Sequence, residues 1–299
     1  MGNRQKLIVI AGPTAVGKTA AAISLAQHFS THIVSADARQ FYKEMNIGTA
    51  KPTPIELQAA PHHFIDSRSI TQSYDAAEFG EEALACIHTL FQSHSHVVMC
   101  GGSGLYIKAV LDGFDDIPEI DPSVRQDLQL AFSVGGLEVL QDKMKTLDPV
   151  YYQKIDTRNP QRLMRALEVV IGTGQSITTF QQRKRRTHDF DVVRIGLELP
   201  RPELYDRIDR RMDKMIEDGL FEEALSLFPY RTYNALQTVG YQEIFDFIER
   251  KYDRREAIRL LKQHSRQYAK RQLTWFKRDP EMVWLQPTAI NDIIDVASR

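Results

Sequence analysis

The chain has 299 residues, 42% hydrophobic and 26% charged, with a formal net charge of −1. That is globular composition, enough for one large domain or two modest ones, and it excludes a disordered polyelectrolyte or a protein basic over its whole surface. No apolar run approaches the ~18–20 residues of a membrane span, no stretch has the form of a signal peptide, and two cysteines, Cys86 and Cys100, make neither a disulfide framework nor a zinc finger; a cytoplasmic protein is expected.

In chain order, residues 7–11 (LIVIA) are fully apolar, as a buried parallel strand is. An alanine-rich helix follows to about Phe29. Strands are predicted at 32–35 and 63–66, a helix at Ala76–Phe91, and a strand at 96–100 that runs into Gly101-Gly102-Ser103-Gly104. Strands alternating with helices predict a P-loop-type α/β fold, a parallel sheet flanked by helices. From about Gly113 the pattern changes. A turn-rich acidic stretch leads into helices at 123–132, 136–146, 149–154 and 160–171, and then the basic run Arg183-Lys184-Arg185-Arg186. A strand at 192–199 returns to the sheet, helices follow at 202–217, 219–228, 241–250 and 254–277, and a short strand lies at 282–285. The expected organisation is a core of 1–115 and 191–299 interrupted by a mostly helical insertion, 116–190.

Between the first strand and its helix stands Gly12-Pro13-Thr14-Ala15-Val16-Gly17-Lys18-Thr19, a complete phosphate-loop signature in the required strand–loop–helix context. Its glycines let backbone N–H groups point inward at the helix N-terminus, Lys18 adds a mobile cation, and Thr19 can offer a hydroxyl to magnesium. The signature is of the ATP-binding, nucleotide-binding type, but it specifies phosphate rather than ATP. The best second apolar strand ends at Cys100 and Gly101, not at an acid, which weighs against an ATPase or GTPase. Gly101, Gly102 and Gly104 suggest a second close backbone approach to a ligand, with tight helix packing as the alternative.

Asp37 lies just beyond the second strand, at the carboxyl edge where α/β sheets bind ligands. It either shares a crevice with Lys18 or caps the next turn. Gln40, three residues on, could help grip a base. The region Arg254–Arg278 is strongly basic, and so is 183–186; a face for a polyanion and a solvated helix face both fit. His62 and His63 are adjacent but have no third metal ligand nearby in sequence. Trp275 and Phe276 at the end of the basic helix are expected to anchor it in the core.

Several ordered segments resemble the tRNA dimethylallyltransferase (isopentenyltransferase) family of the bacterial type: GPTAVGKT at 12–19, SADARQFY at 35–42, MNIGTAKP at 45–52, PHHFID at 61–66, GGSGLY at 101–106, DPSVR at 121–125, NPQRLMRALEV at 159–169, VGYQEI at 239–244 and RQYAKRQLTWF at 266–276. Ala38 and Ser103 stand where the family often has Ser and Thr. The resemblance implies a tRNA-modifying prenyltransferase that moves a dimethylallyl group from dimethylallyl diphosphate to the exocyclic N6 amine of the adenine just 3′ of the anticodon. It implies magnesium as cofactor, the tRNA anticodon stem–loop as partner, and no required protein partner or membrane. It makes Asp37 the general base and Arg211, second of the pair Arg207/Arg211, an active-site cation beside Lys18 and Thr19. It sets Asp37, Ala38, Arg39, Gln40, Ser103, Arg125, Gln161, Arg162, Leu163, Met164 and Arg165 against tRNA. A small-molecule kinase, a prenyltransferase acting on free adenylate, and a non-enzymatic RNA-binding protein are the competing classes.

Overall fold

The computed structural model describes residues 4–181 and 186–299. Its strands are β1 (Lys6–Ala11), β2 (Ile33–Ser35), β3 (His62–His63), β4 (His96–Gly101), β5 (Asp191–Leu197) and β6 (Val283–Leu285). They form one sheet in the order β3-β2-β4-β1-β5-β6, every neighbouring pair parallel. The helices are α1 (Lys18–His28), α2 (Pro54–Ala59), α3 (Ala76–Phe91), α4 (Gly104–Leu111), α5 (Pro122–Leu147), α6 (Pro149–Tyr152), α7 (Pro160–Thr173), α8 (Ile177–Phe180), α9 (Arg201–Glu217), α10 (Leu220–Leu227), α11 (Gln242–Ile248), α12 (Arg254–Phe276) and α13 (Ile290–Ser298). The parallel α/β class expected from the strand–helix alternation is the one observed.

β1 is central and wholly buried, which is why it is apolar throughout after Lys6. Strand side chains alternate between faces. Leu7, Val9 and Ala11 join a cluster with Phe41, Phe79 and Tyr241, whereas Ile8 and Ile10 pack with Ala22 and Leu25 of α1, Ile208 of α9 and Ile293 of α13. Lys6, buried at the start of β1, donates to the Ser298 carbonyl at 2.7 Å and so ties down the end of α13.

The chain divides into two compact units, residues 1–111 with 187–299 and residues 112–186. The second is helical, built on Leu128, Leu140, Met144, Leu163 and Leu167. Its long helix α5 is broken at Gly136 (φ 65°, ψ −157°), so the two helices expected at 123–132 and 136–146 are joined end to end by a glycine kink. Asn159 caps α7 through the Arg162 N–H at 3.2 Å, with Pro160 at its first turn and left-handed Gly174 at its end.

Three expectations change. The third strand is two residues long because Phe64 (φ 63°) and Asp66 (φ 51°) turn left-handed at once. α2, α4, α8 and α13 are additional to the predicted elements. Of the basic run 183–186, Arg183, Lys184 and Arg185 lie outside the described residues.

Candidate active site

A cavity of about 350 Å3 opens at the carboxyl edge of the sheet in the α/β unit. The phosphate loop forms one wall. Gly12 (φ 153°), Ala15 (φ 63°) and Gly17 (φ 108°) leave the right-handed region and curl the loop at the start of α1, a shape suited to an anion. A side chain at Gly12 would meet the Leu197 carbonyl at 2.7 Å, so the loop passes too close to β5 for anything larger. Thr14, Ala15, Gly17, Lys18 and Thr19 line the cavity. Pro13 accepts from Lys18 Nζ at 2.7 Å, and Val16 is buried in the core.

Asp37, Arg39, Gln40 and Arg211 line the same cavity. Asp37 does cap a turn, accepting the Arg39 N–H on Oδ1 at 3.0 Å. Its charge nevertheless acts on both recessed cations. Burial pulls Lys18 down to about 8, an effect that Cys100 and Asp37 oppose and Arg211 reinforces. Burial also lowers Arg211, again opposed by Asp37. The acids near Arg211 in sequence are used elsewhere: Asp206 pairs with Arg210, Asp209 with Arg266 at 2.5 Å and Asp213 with Lys262 at 2.6 Å. Arg207 instead reaches the Val16 carbonyl at 3.3 Å.

The second loop's glycines are closely packed, and Gly101 also lines the cavity. A side chain at Gly101 would collide with the Ala36 carbonyl, and one at Gly104 with the Trp275 indole. Gly102 lies against Gln272, whose Nε2 donates to the Gly102 carbonyl at 2.8 Å while its Oε1 accepts the Thr14 N–H at 2.8 Å. One α12 side chain thus joins both loops. Ser103 accepts the Ala38 N–H at 2.9 Å and is also hydrogen-bonded to Tyr268, a phenol that burial pushes up to about 12. Trp275 packs on Gly104 but stays 38% exposed, whereas Phe276 is buried as expected.

The family model for IPP transferase matches residues 40–279. The chain belongs to this family. It is 52% identical over 287 residues to a tRNA dimethylallyltransferase of Cytophaga hutchinsonii, covering 96% of this chain and 94% of that protein. It is 49% identical to the enzyme of the same name from Christiangramia forsetii, covering 94% and 93%. Among solved structures it resembles the tRNA isopentenylpyrophosphate transferase of Bacillus halodurans (36% identity, TM-score 0.73, 99% of this chain and 96% of that one). A eukaryotic dimethylallyltransferase acting on tRNA shares the fold with a TM-score of 0.79 at 25% identity, covering 98% of this chain and 77% of that one. Membership of the IPP transferase family makes the chain a prenyltransferase.

The remaining candidates of this IPP transferase lie in its helical unit. Arg125 and Arg165, each about half exposed, share buried Glu168 at 2.6 and 3.3 Å, and Gln161 and Arg162 are exposed on α7. Leu163 and Met164 are corrections: they fall on the inner face of α7 and are buried in that unit's core, so their side chains are not available to tRNA. The basic helix α12 is also less open than its sequence implied. Arg259, Lys262, Arg266 and Lys277 pair with Glu256, Asp213, Asp209 and Glu198, while among the described residues Arg254, Arg255, Lys270, Arg271 and Arg278 make no ion pair. His62 lines the cavity and His63 faces His32 at 2.9 Å. Among the described residues no cluster of three or more His, Cys, Asp or Glu could hold a metal. Cys100, Tyr268 and Gln272 line the site of the transferase without having been singled out; Tyr268 and Gln272 stand four apart on one face of α12, a spacing visible in RQYAKRQLTWF.

Proposed function

We propose that this protein transfers the dimethylallyl group of dimethylallyl diphosphate to N6 of the adenine immediately 3′ of the anticodon, releasing diphosphate. The observation that carries the reading is one cavity in which a phosphate loop, the recessed cations Lys18 and Arg211 and the Asp37 carboxylate converge, with Glu56 also in its lining. The carbon–oxygen bond to diphosphate breaks as the N6–carbon bond forms. Lys18, Arg211 and the loop amides take the negative charge that builds on the leaving group. Asp37 accepts the N6 proton, which counters the poor nucleophilicity of an amine whose lone pair is delocalised into the ring. Thr19 has a cavity-facing position suited to magnesium, an ion that commonly takes one or two protein oxygens and completes its shell with substrate phosphates and water. When bound there, magnesium would neutralise diphosphate charge.

For the tRNA, Asp37, Arg39 and Gln40 meet the target base, and the backbone at Ala38 is held by Ser103. The base leaves its stack to reach the recessed site. Exposed Gln161 and the arginines Arg125, Arg162 and Arg165 of the helical unit are suited to the phosphate backbone. The reaction belongs to the cytoplasm, where tRNA is found; among the described residues no helix is long and apolar enough to cross a membrane. Purified protein with magnesium, labelled dimethylallyl diphosphate and unmodified tRNA is expected to give labelled tRNA, with little transfer to AMP and no sustained ATP hydrolysis. ATP turnover without prenyl transfer would overturn the reading in favour of a kinase.

A pH dependence follows from Lys18. Without ligand its ammonium loses its proton at about pH 8. A bound diphosphate favours the charged form and raises that value, so above it binding takes up a proton. The affinity for an unreactive diphosphate monoester, itself fully ionised at these pH values, is therefore expected to fall as pH rises through 8, by up to about tenfold per unit. Titration calorimetry in buffers of different ionisation enthalpy measures the uptake. Affinity independent of pH from 7 to 9.5 would remove Lys18 titration from binding.

A further inference from the structure

Glu223 on α10 does not line the cavity, yet its carboxylate collects four hydrogen bonds. Oε2 accepts the backbone N–H groups of Asn46 at 3.1 Å and Ile47 at 2.8 Å. Oε1 accepts the Gly48 N–H at 2.9 Å and the Tyr241 phenol at 2.6 Å. Three successive amides turned toward one carboxylate form a backbone nest, a conformation that an anion stabilises and that loses its reason without one. The nest opens the tight turn Ile47–Thr49.

Tyr241 completes the clamp. Its side chain is fully buried, and burial with the Glu223 carboxylate holds the phenol far above its usual value, so it remains a donor. Its ring fills the space left by the missing side chain of Gly48, where a Cβ would come within about 2.5 Å of ring atoms. MNIGTAKP and VGYQEI, two segments distant in sequence, are therefore fitted together by a residue that belongs to neither.

The turn has a use. The carbonyls of Thr49 and Ala50 both accept from Gln40 Nε2, at 3.2 and 3.1 Å. Ser35 donates weakly to Gln40 Oε1 at 3.4 Å. Gln40, Gly48, Thr49 and Ala50 all line the cavity. We propose that Glu223 is a positioning residue for Gln40: by fixing the Asn46–Gly48 nest it fixes the two carbonyls that hold the Gln40 amide in one orientation toward the acceptor base. This rests on the proposed function in taking Gln40 as part of the base-contacting wall.

Glu223→Gln removes the negative charge and sets an NH2 group against at least one backbone donor, so the nest loses one or two of the four bonds. The expected result with an anticodon stem–loop RNA is a KM raised about tenfold and a reduced kcat, with affinity for an unreactive diphosphate monoester unchanged. A double-mutant cycle separates positioning from general damage. In a Gln40→Ala background, Glu223→Gln should add little, because the group it orients is already gone. Losses that multiply, or an impaired Glu223→Gln beside a silent Gln40→Ala, overturn the proposal. So does a Glu223→Gln enzyme with parental kinetics. Should that variant fail to fold, Tyr241→Phe removes one bond of the four and keeps the ring; a two- to threefold rise in KM that vanishes in the Gln40→Ala background supports the proposal, and a rise that persists there overturns it. Absence of prenyl transfer by the parent protein is a different outcome, which defeats the functional reading itself.

Discussion

Replacing Asp37 with asparagine is expected to slow the chemical step by about 10²–10⁴, the usual contribution of a general base, while leaving both substrates bound within a few-fold. The geometry makes the substitution clean. Asparagine keeps the oxygen that accepts the Arg39 N–H at 3.0 Å, and it caps turns about as well as aspartate. Position and fold are preserved, and only the capacity to take a proton is lost. Single-turnover kinetics at saturating substrates isolates the step. A near-parental rate would remove Asp37 from the mechanism, leave it with the turn-capping role it visibly has, and assign proton removal to solvent or to the departing diphosphate.

The second large effect is expected at Arg211. Arg211→Gln should lower the single-turnover rate by about 10²–10³, the cost of removing one donor aimed at charge that develops in the transition state. A surface arginine at this position would pair with the aspartates near it in sequence. Asp206, Asp209 and Asp213 are instead committed to Arg210, Arg266 and Lys262. Arg211 is turned into the cavity, where burial depresses its pKa and Asp37 counters that effect. Because the leaving group gains charge only as its bond breaks, the rate should suffer more than donor affinity. Donor affinity falling as far as the rate would instead make Arg211 a ground-state anchor for the diphosphate.

What could be read in the sequence depended on how local its cause was. The phosphate loop is a contiguous signature, and its strand and helix follow from unbroken apolar and alanine-rich runs. The positive φ of Ala15 has no such marker, since nothing in an alanine announces a left-handed backbone. α2 carries a legible start, Thr53 and Glu56 in a capping box, and α13 has Ile290, Ile293 and Ala297 at helical spacing; both are too short for a strong periodic signal. At Gly101 and Gly104 the sequence cannot distinguish the approach of a small molecule from that of a neighbouring carbonyl or indole; the structure adds the Ala36 carbonyl and the Trp275 indole. The partly paired state of α12 is hidden from the sequence for a related reason: its acidic partners Asp209, Asp213 and Glu198 lie far away in the chain. Leu163 and Met164 stand beside the polar residues of α7 in sequence, but helical periodicity places them inward.

Gln272 bears on the order in which the protein is made. Its amide joins the Thr14 N–H to the Gly102 carbonyl, yet it is synthesised more than 250 residues after the loop it closes. Domains tend to fold from the N-terminus as the chain emerges from the ribosome, but here β1 also waits for β5, on the far side of the helical unit, to cover its second edge. A nascent chain halted before Tyr268 would carry the whole phosphate signature without the side chain that joins its loop to the neighbouring glycine turn. The contact that closes the loop is thus tied to the late emergence of α12, long after the loop itself.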